Sequence, residues 1–231
     1  MDKDAIRQLL EQVASGTLAA DAAFARLRDL PFENIGFAHV DHHRALRTGH
    51  PEVIFCQGKS TEQVLAIAGK ILARGSYVLA TRLSPEQGQG LAQAFAAPQF
   101  VSEVDPIARA AVVRPEAVPP PEPRGQVLVL SAGTSDLPVA QEAAITARAM
   151  GARTDAIIDV GVAGIHRLLA YQSQLRAARV IVVAAGMEGA LASVVGGLVD
   201  VPVIAVPTSI GYGASFHGLA ALLSMLNSCA A

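Results

Sequence analysis

Four short clusters in the second half of the chain hold most of its reactive side chains, and each follows an apolar run. Thr134, Ser135 and Asp136 stand behind Gly133, and His166 and Arg167 follow Gly164. Met187 and Glu188 lie between Gly186 and Gly189, and Thr208 and Ser209 precede Gly211. Hydroxyls and free backbone N–H groups at a helix start suit a phosphate or carboxylate, and an imidazole or a carboxylate suits proton transfer. A single Ser or Asp at such a junction is also the ordinary N-cap of a helix, yet three in a row exceed what one cap uses. Glu188 is the sole charge between Arg179 and Asp200. It can accept a hydrogen bond from a ligand, approach a metal, or complement the dipole of the helix that follows. Cys229 reads either as inert packing or as a nucleophile. A free thiol has a pKa near ~8.5, so attack at neutral pH needs a nearby cation or dipole, and the sequence sets none beside it.

The elements that must position these groups repeat four times: an apolar strand, a glycine-bearing turn, a helix. The strands read over residues 126–132, 153–159, 179–185 and 201–207. Strands alternating with helices at this spacing predict an α/β unit with an open, flavodoxin-like parallel sheet; the intervals are too short for an eight-unit barrel. All four clusters then fall at carboxyl ends of strands, where such sheets bind ligands. The first turn, Ala132-Gly133-Thr134-Ser135-Asp136, is neither a dinucleotide fingerprint nor a P-loop.

The first half is different in kind. Residues 126–231 carry eleven charged side chains and residues 1–125 carry twenty-seven. Helical spacing of Ile6, Leu9, Leu10 and Val13 predicts a helix over 3–14, and a second runs from about Ala19 to Asp29. Ser60 with Gln63 and Ser84 with Gln87 have capping-box spacing ahead of two more helices. Strand candidates lie at 51–56 and 76–82, with a short β-like stretch at 110–113, so residues 1–113 read as a small α+β domain. Residues 114–125 hold five prolines and read as a semi-rigid linker. Residues 126–231 form the α/β domain. The Asp41–Lys59 run sets Arg44, Arg47 and Lys59 among His42, His43 and His50, a basic edge that Arg82 can join. It serves either as a solvated face or as an anion site.

Composition also excludes. A net charge of −2 offers no stripe for nucleic acid, and the opening Met1-Asp2-Lys3-Asp4 is no signal core. The expectation is a cytoplasmic protein. Residues 201–231 contain no Asp, Glu, Lys or Arg, but Pro202, Pro207, Gly211, Gly213 and Gly218 break that run into strand, loop and amphipathic helix rather than a membrane span. Cys56 and Cys229 sit in no zinc pattern. So charge-poor a second half predicts a subunit interface and a homo-oligomer.

Taken together, Ser131–Pro138, Gly161–Arg167, Ala184–Gly189 and Val201–Gly213 resemble the aminoimidazole ribonucleotide carboxylase (PurE-like) superfamily. The Asp41–Lys59 run and the ending Asn227-Ser228-Cys229 narrow the resemblance to its LarB branch. That branch comprises the pyridinium-3,5-biscarboxylic acid mononucleotide synthases, which open nickel-pincer nucleotide cofactor assembly. The purine enzymes' first turn reads Gly-Ser-x-Ser-Asp-Trp. Here Ala132, Gly133 and Leu137 replace Gly, Ser and Trp while Ser135 and Asp136 remain, which argues against the purine reaction, as do the 125 residues ahead of the core.

The resemblance implies that nicotinic acid adenine dinucleotide is carboxylated with CO2 on its pyridinium ring and hydrolysed at its phosphoanhydride, releasing AMP. Cys229 is implied as the covalent nucleophile, and Asp136 and His166 as the proton-transfer groups. Gly133, Thr134, Ser135, Gly164, Arg167, Gly186, Met187, Glu188, Gly189, Thr208, Ser209 and Gly211 are implied to hold the mononucleotide. Arg44, Arg47, Lys59 and Arg82 are left for the anhydride or AMP side. Magnesium is implied for hydrolysis, with no ligand set evident, and no organic cofactor. An octamer is implied as well. Relatives continue past the cysteine with a Gly- and Asn-containing segment, so the chain is expected to be truncated at its C terminus. The competing readings are a purine-type carboxylase or mutase, which needs Asp136 and His166 but no thiol, and a non-catalytic nucleotide-binding scaffold.

Overall fold

The computed structural model describes residues 3–28 and 32–230, and the chain divides into two compact units between residues 119 and 120. In the first unit, α1 (Lys3–Ala14) and α2 (Ala20–Arg28) lead to a two-stranded antiparallel hairpin of β1 (Glu33–Asn34) and β2 (His39–Val40). The expected end of the second helix at Asp29 lies outside the described residues. There follow α3 (Arg44–Thr48), β3 (Val53–Phe55), α4 (Thr61–Leu72), β4 (Val78–Thr81), α5 (Pro85–Ala94), β5 (Phe100–Asp105) and β6 (Ala110–Pro115). Sheet order is β3-β4-β6-β5, with β3 and β4 parallel and the remaining pairs antiparallel.

Both expected capping boxes form. Ser60 Oγ accepts from Gln63 N at 3.3 Å while Gln63 Oε1 accepts from Ser60 N at 3.0 Å; the Ser84 and Gln87 pair repeats this at 3.2 and 2.8 Å. Gln87 does more. Its buried amide donates to Cys56 O and Lys59 O at 3.3 and 2.7 Å, tying the β3–α4 turn to the start of α5. Val64, Ile67 and Ile71, on the apolar face of α4, pack with Val78, Leu91 and Val113 into one core. The hairpin is anchored by Glu33, whose carboxylate meets Lys70 Nζ at 2.5 Å, His42 Nε2 at 3.1 Å and Arg74 at 3.7 Å.

The second unit comprises β7 (Arg124–Ser131), α6 (Leu137–Ala149), β8 (Ala152–Ile157), α7 (Ile165–Leu169), α8 (Gln172–Ala177), β9 (Val180–Ala185), α9 (Ala190–Gly196), β10 (Val203–Pro207) and α10 (Leu219–Leu226). Arg114 and Pro115 belong to β6, and Arg124 and Gly125 to β7, so the proline-bearing segment outside strands spans 116–123. Strand pairing explains both ends: Pro115 sits opposite Phe100, and Arg124 pairs with Ala152 ahead of a register shift. The four strands are parallel, in the order β10-β9-β7-β8, the flavodoxin-like arrangement.

Because β7 pairs with both β8 and β9, the crossovers leave on opposite faces. Ala140 and Ala144 of α6 pack on Val129 and Ala184. Leu168, Leu175, Leu191 and Val195 pack with Leu128, Leu130, Ile181 and Val183 on the other side. The chain order therefore reverses between β7 and β9, and a crevice opens at their carboxyl ends. No helix among the described residues is long and apolar enough to cross a membrane.

Candidate active site

A cavity of about 360 Å3 occupies that crevice, within the range of small-molecule sites. Ala132, Gly133, Ser135 and Asp136 line it from the β7 end, Met187, Glu188 and Gly189 from the β9 end, and Ile210, Gly211 and Tyr212 from the loop after β10. Arg167 completes it from α7.

Asp136 is the fixed point. It is 5% exposed; Oδ2 accepts from Gly133 N at 3.0 Å and Oδ1 accepts from Thr208 Oγ1 at 2.6 Å. Its side chain makes no cap bond to α6, so it is not the ordinary N-cap that its position allows. Thr208 is 3% exposed, and its amide donates to Ala185 O at 3.1 Å. One hydroxyl thus locks the β10 end to the β7 turn across β9. The fit needs a glycine: a Cβ at Gly186 would lie 2.1 Å from Ile210 O and 2.2 Å from Thr208 Oγ1.

Arg167 is aimed by residues that sequence reasoning passed over. Asp159 has a left-handed backbone (φ 63°), a conformation Asp tolerates. Its amide donates to Ser131 Oγ at 3.1 Å and its carboxylate accepts from Arg167 Nη1 at 2.5 Å. A Cβ at Gly164 would meet Arg167 Nε at 2.9 Å, so this glycine makes room for the guanidinium rather than touching the cavity. The remaining guanidinium donors suit a phosphate or carboxylate.

Several expected residues stand elsewhere. Thr134, Gly164, Gly186, Thr208 and Ser209 are not among the cavity-lining residues; Thr208 and the two glycines act one layer back, and Thr134 and Ser209 are exposed. His166 is exposed on α7 and does not line the cavity. Cys229 is exposed at the opposite edge of the sheet. Its neighbours Ser228 and Ala230 flank Gly196 and Val203 at the amino end of β10, and Ser193 Oγ donates to Ser228 Oγ at 2.8 Å.

In the first unit, Arg47 pairs with Asp41 at 2.6 Å and Lys59 Nζ donates to Phe55 O at 2.6 Å. Arg44 opens α3 and Arg82 follows β4 with φ 56°. The signals for Asp159 and Tyr212 were present in the sequence, as a carboxylate ending a strand and an aromatic between two loop glycines. The donor set does not fit a dedicated magnesium site. Both Asp136 oxygens are engaged, Glu188 stands alone in its turn, and no group of three or more His, Cys, Asp or Glu able to hold a metal occurs among the described residues.

A flavodoxin-like sheet with a cavity at its switch point, lined by residues of these four turns, defines a core of the PurE-like carboxylase class. Residues 126–231 match the AIR carboxylase family, and residues 32–115 match the LarB/PurE-like N-terminal domain. An uncharacterized protein of Methanocaldococcus jannaschii is 34% identical over 228 residues, covering 97% of this chain and 88% of that protein. The chain belongs to the LarB family within the PurE-like superfamily, whose AIR carboxylase-like members are carboxylating enzymes.

Proposed function

We propose that the chain carboxylates the pyridinium ring of nicotinic acid adenine dinucleotide and hydrolyses its phosphoanhydride, giving pyridinium-3,5-biscarboxylic acid mononucleotide and AMP. The observation that carries this reading is the joining of an AIR carboxylase core to a LarB-type N-terminal domain in one chain. The cavity supports it with the carboxylates of Asp136 and Glu188 and the guanidinium of Arg167 set among apolar lining residues.

A pyridinium carbon is electron-poor and does not attack CO2. Addition of the Cys229 thiolate forms a C–S bond and moves a ring electron pair into an enamine, whose carbon attacks CO2 to form the new C–C bond. Of the two groups the resemblance assigns to proton transfer, Asp136 lines the cavity and takes the proton from the resulting sp3 carbon. The freed pair restores the ring as the C–S bond breaks and the thiolate leaves. The ring has exchanged a proton for a carboxylate, so the balance needs no oxidant. Arg167 and the glycine-turn amides hold the mononucleotide phosphate, and water cleaves the anhydride to release AMP.

Incubation of the full-length protein with the dinucleotide and labelled bicarbonate, read by mass spectrometry, should yield AMP and a mononucleotide carrying the label. Finding neither product defeats the assignment. A Cys229→Ser variant that kept full carboxylating activity would favour the purine-type reaction.

A further inference from the structure

The cavity at the switch point is unbalanced in charge. Its charged lining consists of two carboxylates, Asp136 and Glu188, and one guanidinium, Arg167, which is already paired with Asp159. A phosphate held by Arg167 leaves the two carboxylates to face the rest of the bound molecule, where a cation is attracted and an anion repelled. The lining beside them is apolar, from Val162, Met187, Leu191 and Ile210. A compact, strongly hydrated ammonium gains little from such walls. A flat ring that spreads positive charge over carbon suits both the walls and the carboxylates.

Tyr212 adds an aromatic face. It lines the same cavity and is nevertheless 81% exposed, so its ring is open to a planar partner. The loop that carries it is pinned. A Cβ at Gly211 would lie 2.6 Å from Ser215 Oγ, and one at Gly218 would lie 2.4 Å from Thr208 O, so the loop closes tightly on its own base. Gly213 turns the chain at φ 62°, and Phe216 and His217 keep left-handed backbones at φ 46° and 54°, a conformation such residues hold only where their surroundings fix it. The ring therefore projects from a defined point at the cavity.

We propose that Tyr212 stacks on a cationic heteroaromatic ring bound beside Asp136 and Glu188, and that this makes the site select the ring's charge, taking an oxidised pyridinium over a neutral dihydropyridine. The identity of the ring rests on the proposed function. A tyrosine face attracts a cation through its quadrupole, whereas a neutral ring gains only the contact. Selection of this kind serves the chemistry, because a dihydropyridine offers a thiolate no electrophilic carbon. Addition of the thiolate also discharges the ring, so the stack favours substrate over adduct and acts on KM more than on kcat.

Binding to the full-length Cys229→Ser chain, in which no adduct forms, tests the proposal by titration calorimetry. The two probes are nicotinic acid mononucleotide and its dihydro form, which share phosphate, ribose and carboxylate and differ in ring charge. The oxidised probe should bind more tightly, Tyr212→Leu should cut that preference by about 3–30-fold, and Tyr212→Phe should keep it, with circular dichroism alike in all three. Equal binding of the two probes, binding of neither, a preference that survives Tyr212→Leu, or one that Tyr212→Phe also abolishes, overturns the stack. With the thiol present, Tyr212→Leu should raise KM for the dinucleotide more than it lowers kcat, and a loss in kcat alone overturns it as well. A wild-type chain that makes no product while the Tyr212-dependent preference holds defeats the proposed function and leaves the stack standing. Normal product formation with a preference indifferent to Tyr212 does the reverse.

Discussion

Glu33 in the first unit and Asp136 in the second are both carboxylates that gather several donors, and the donors differ. Glu33 is met by Lys70, His42 and Arg74. Hydrogen bonds from Lys70 and then His42 hold its pKa below the usual carboxylate value. Asp136 is met by an amide and a hydroxyl, and no cation pairs with it among the described residues. Cationic partners neutralise a carboxylate and make it an anchor, whereas neutral donors aim one and leave its charge for whatever enters the cavity. The two units also differ in charge at large: residues 1–125 carry twenty-seven charged side chains and residues 126–231 carry eleven.

The comparison can be broken most directly at Asp136. Asp136→Asn keeps the size and one acceptor but removes the charge, and product formation should fall by about 10²–10⁴-fold with little change in melting temperature. A comparable activity loss from Glu33→Gln would erase the distinction. Next in size, Gly186→Ala forces a methyl against Ile210 O and Thr208 Oγ1 and should destabilise the second unit by about 3 kcal/mol, read as a lowered denaturation midpoint. Glu33→Gln should cost about 1–2 kcal/mol, because its partners are partly exposed and screened, and it should leave product formation unchanged.

Smaller again is the pH response of the first unit. Burial holds the pKa of His42 below its ordinary value, with the Glu33 hydrogen bond opposing only in part. The unfolded chain therefore takes up the proton first as pH falls below about 6.5. These two groups leave stability flat from about pH 6.5 to about 8 and lower it beneath that range, with the depressed Glu33 pKa adding a loss in the same direction as pH passes below about 4.5. His42→Gln should flatten the upper part of the decline in melting temperature between pH 7 and 5. Last, the two thiols should differ in reactivity: Cys56, fully buried, has its pKa pushed up to about 11 by burial, so alkylation of the folded protein near pH 8 should label Cys229 and spare Cys56.

The parts legible in the sequence are those where local chemistry and tertiary demand agree. The strand–turn–helix repeat and the capping boxes at Ser60 and Ser84 are written in neighbouring residues. Strand β5 was not, because Phe100–Asp105 gains its β structure by pairing with β6 and carries Ser, Glu and Asp that blunt an apolar signal. At the site, the glycine turns announced their place, but the roles of their residues did not. Thr208 reads as a phosphate hydroxyl in sequence; only the register of β10 against β9 turns it onto Asp136. Arg167 could be named without its aim, since Asp159 and Ser131 act through bonds that span 8 and 28 residues. Cys229 is the extreme case, because its position follows from where α10 ends.

The Thr208–Asp136 bond joins residues 72 positions apart, and that separation has a consequence for biosynthesis. As the chain leaves the ribosome, the first three strands of the core can pair while the last is still in the exit tunnel, yet the carboxylate lacks its lock until residue 208 has emerged. Asp136 therefore reaches its described hydrogen bonding only when the fourth strand completes the sheet.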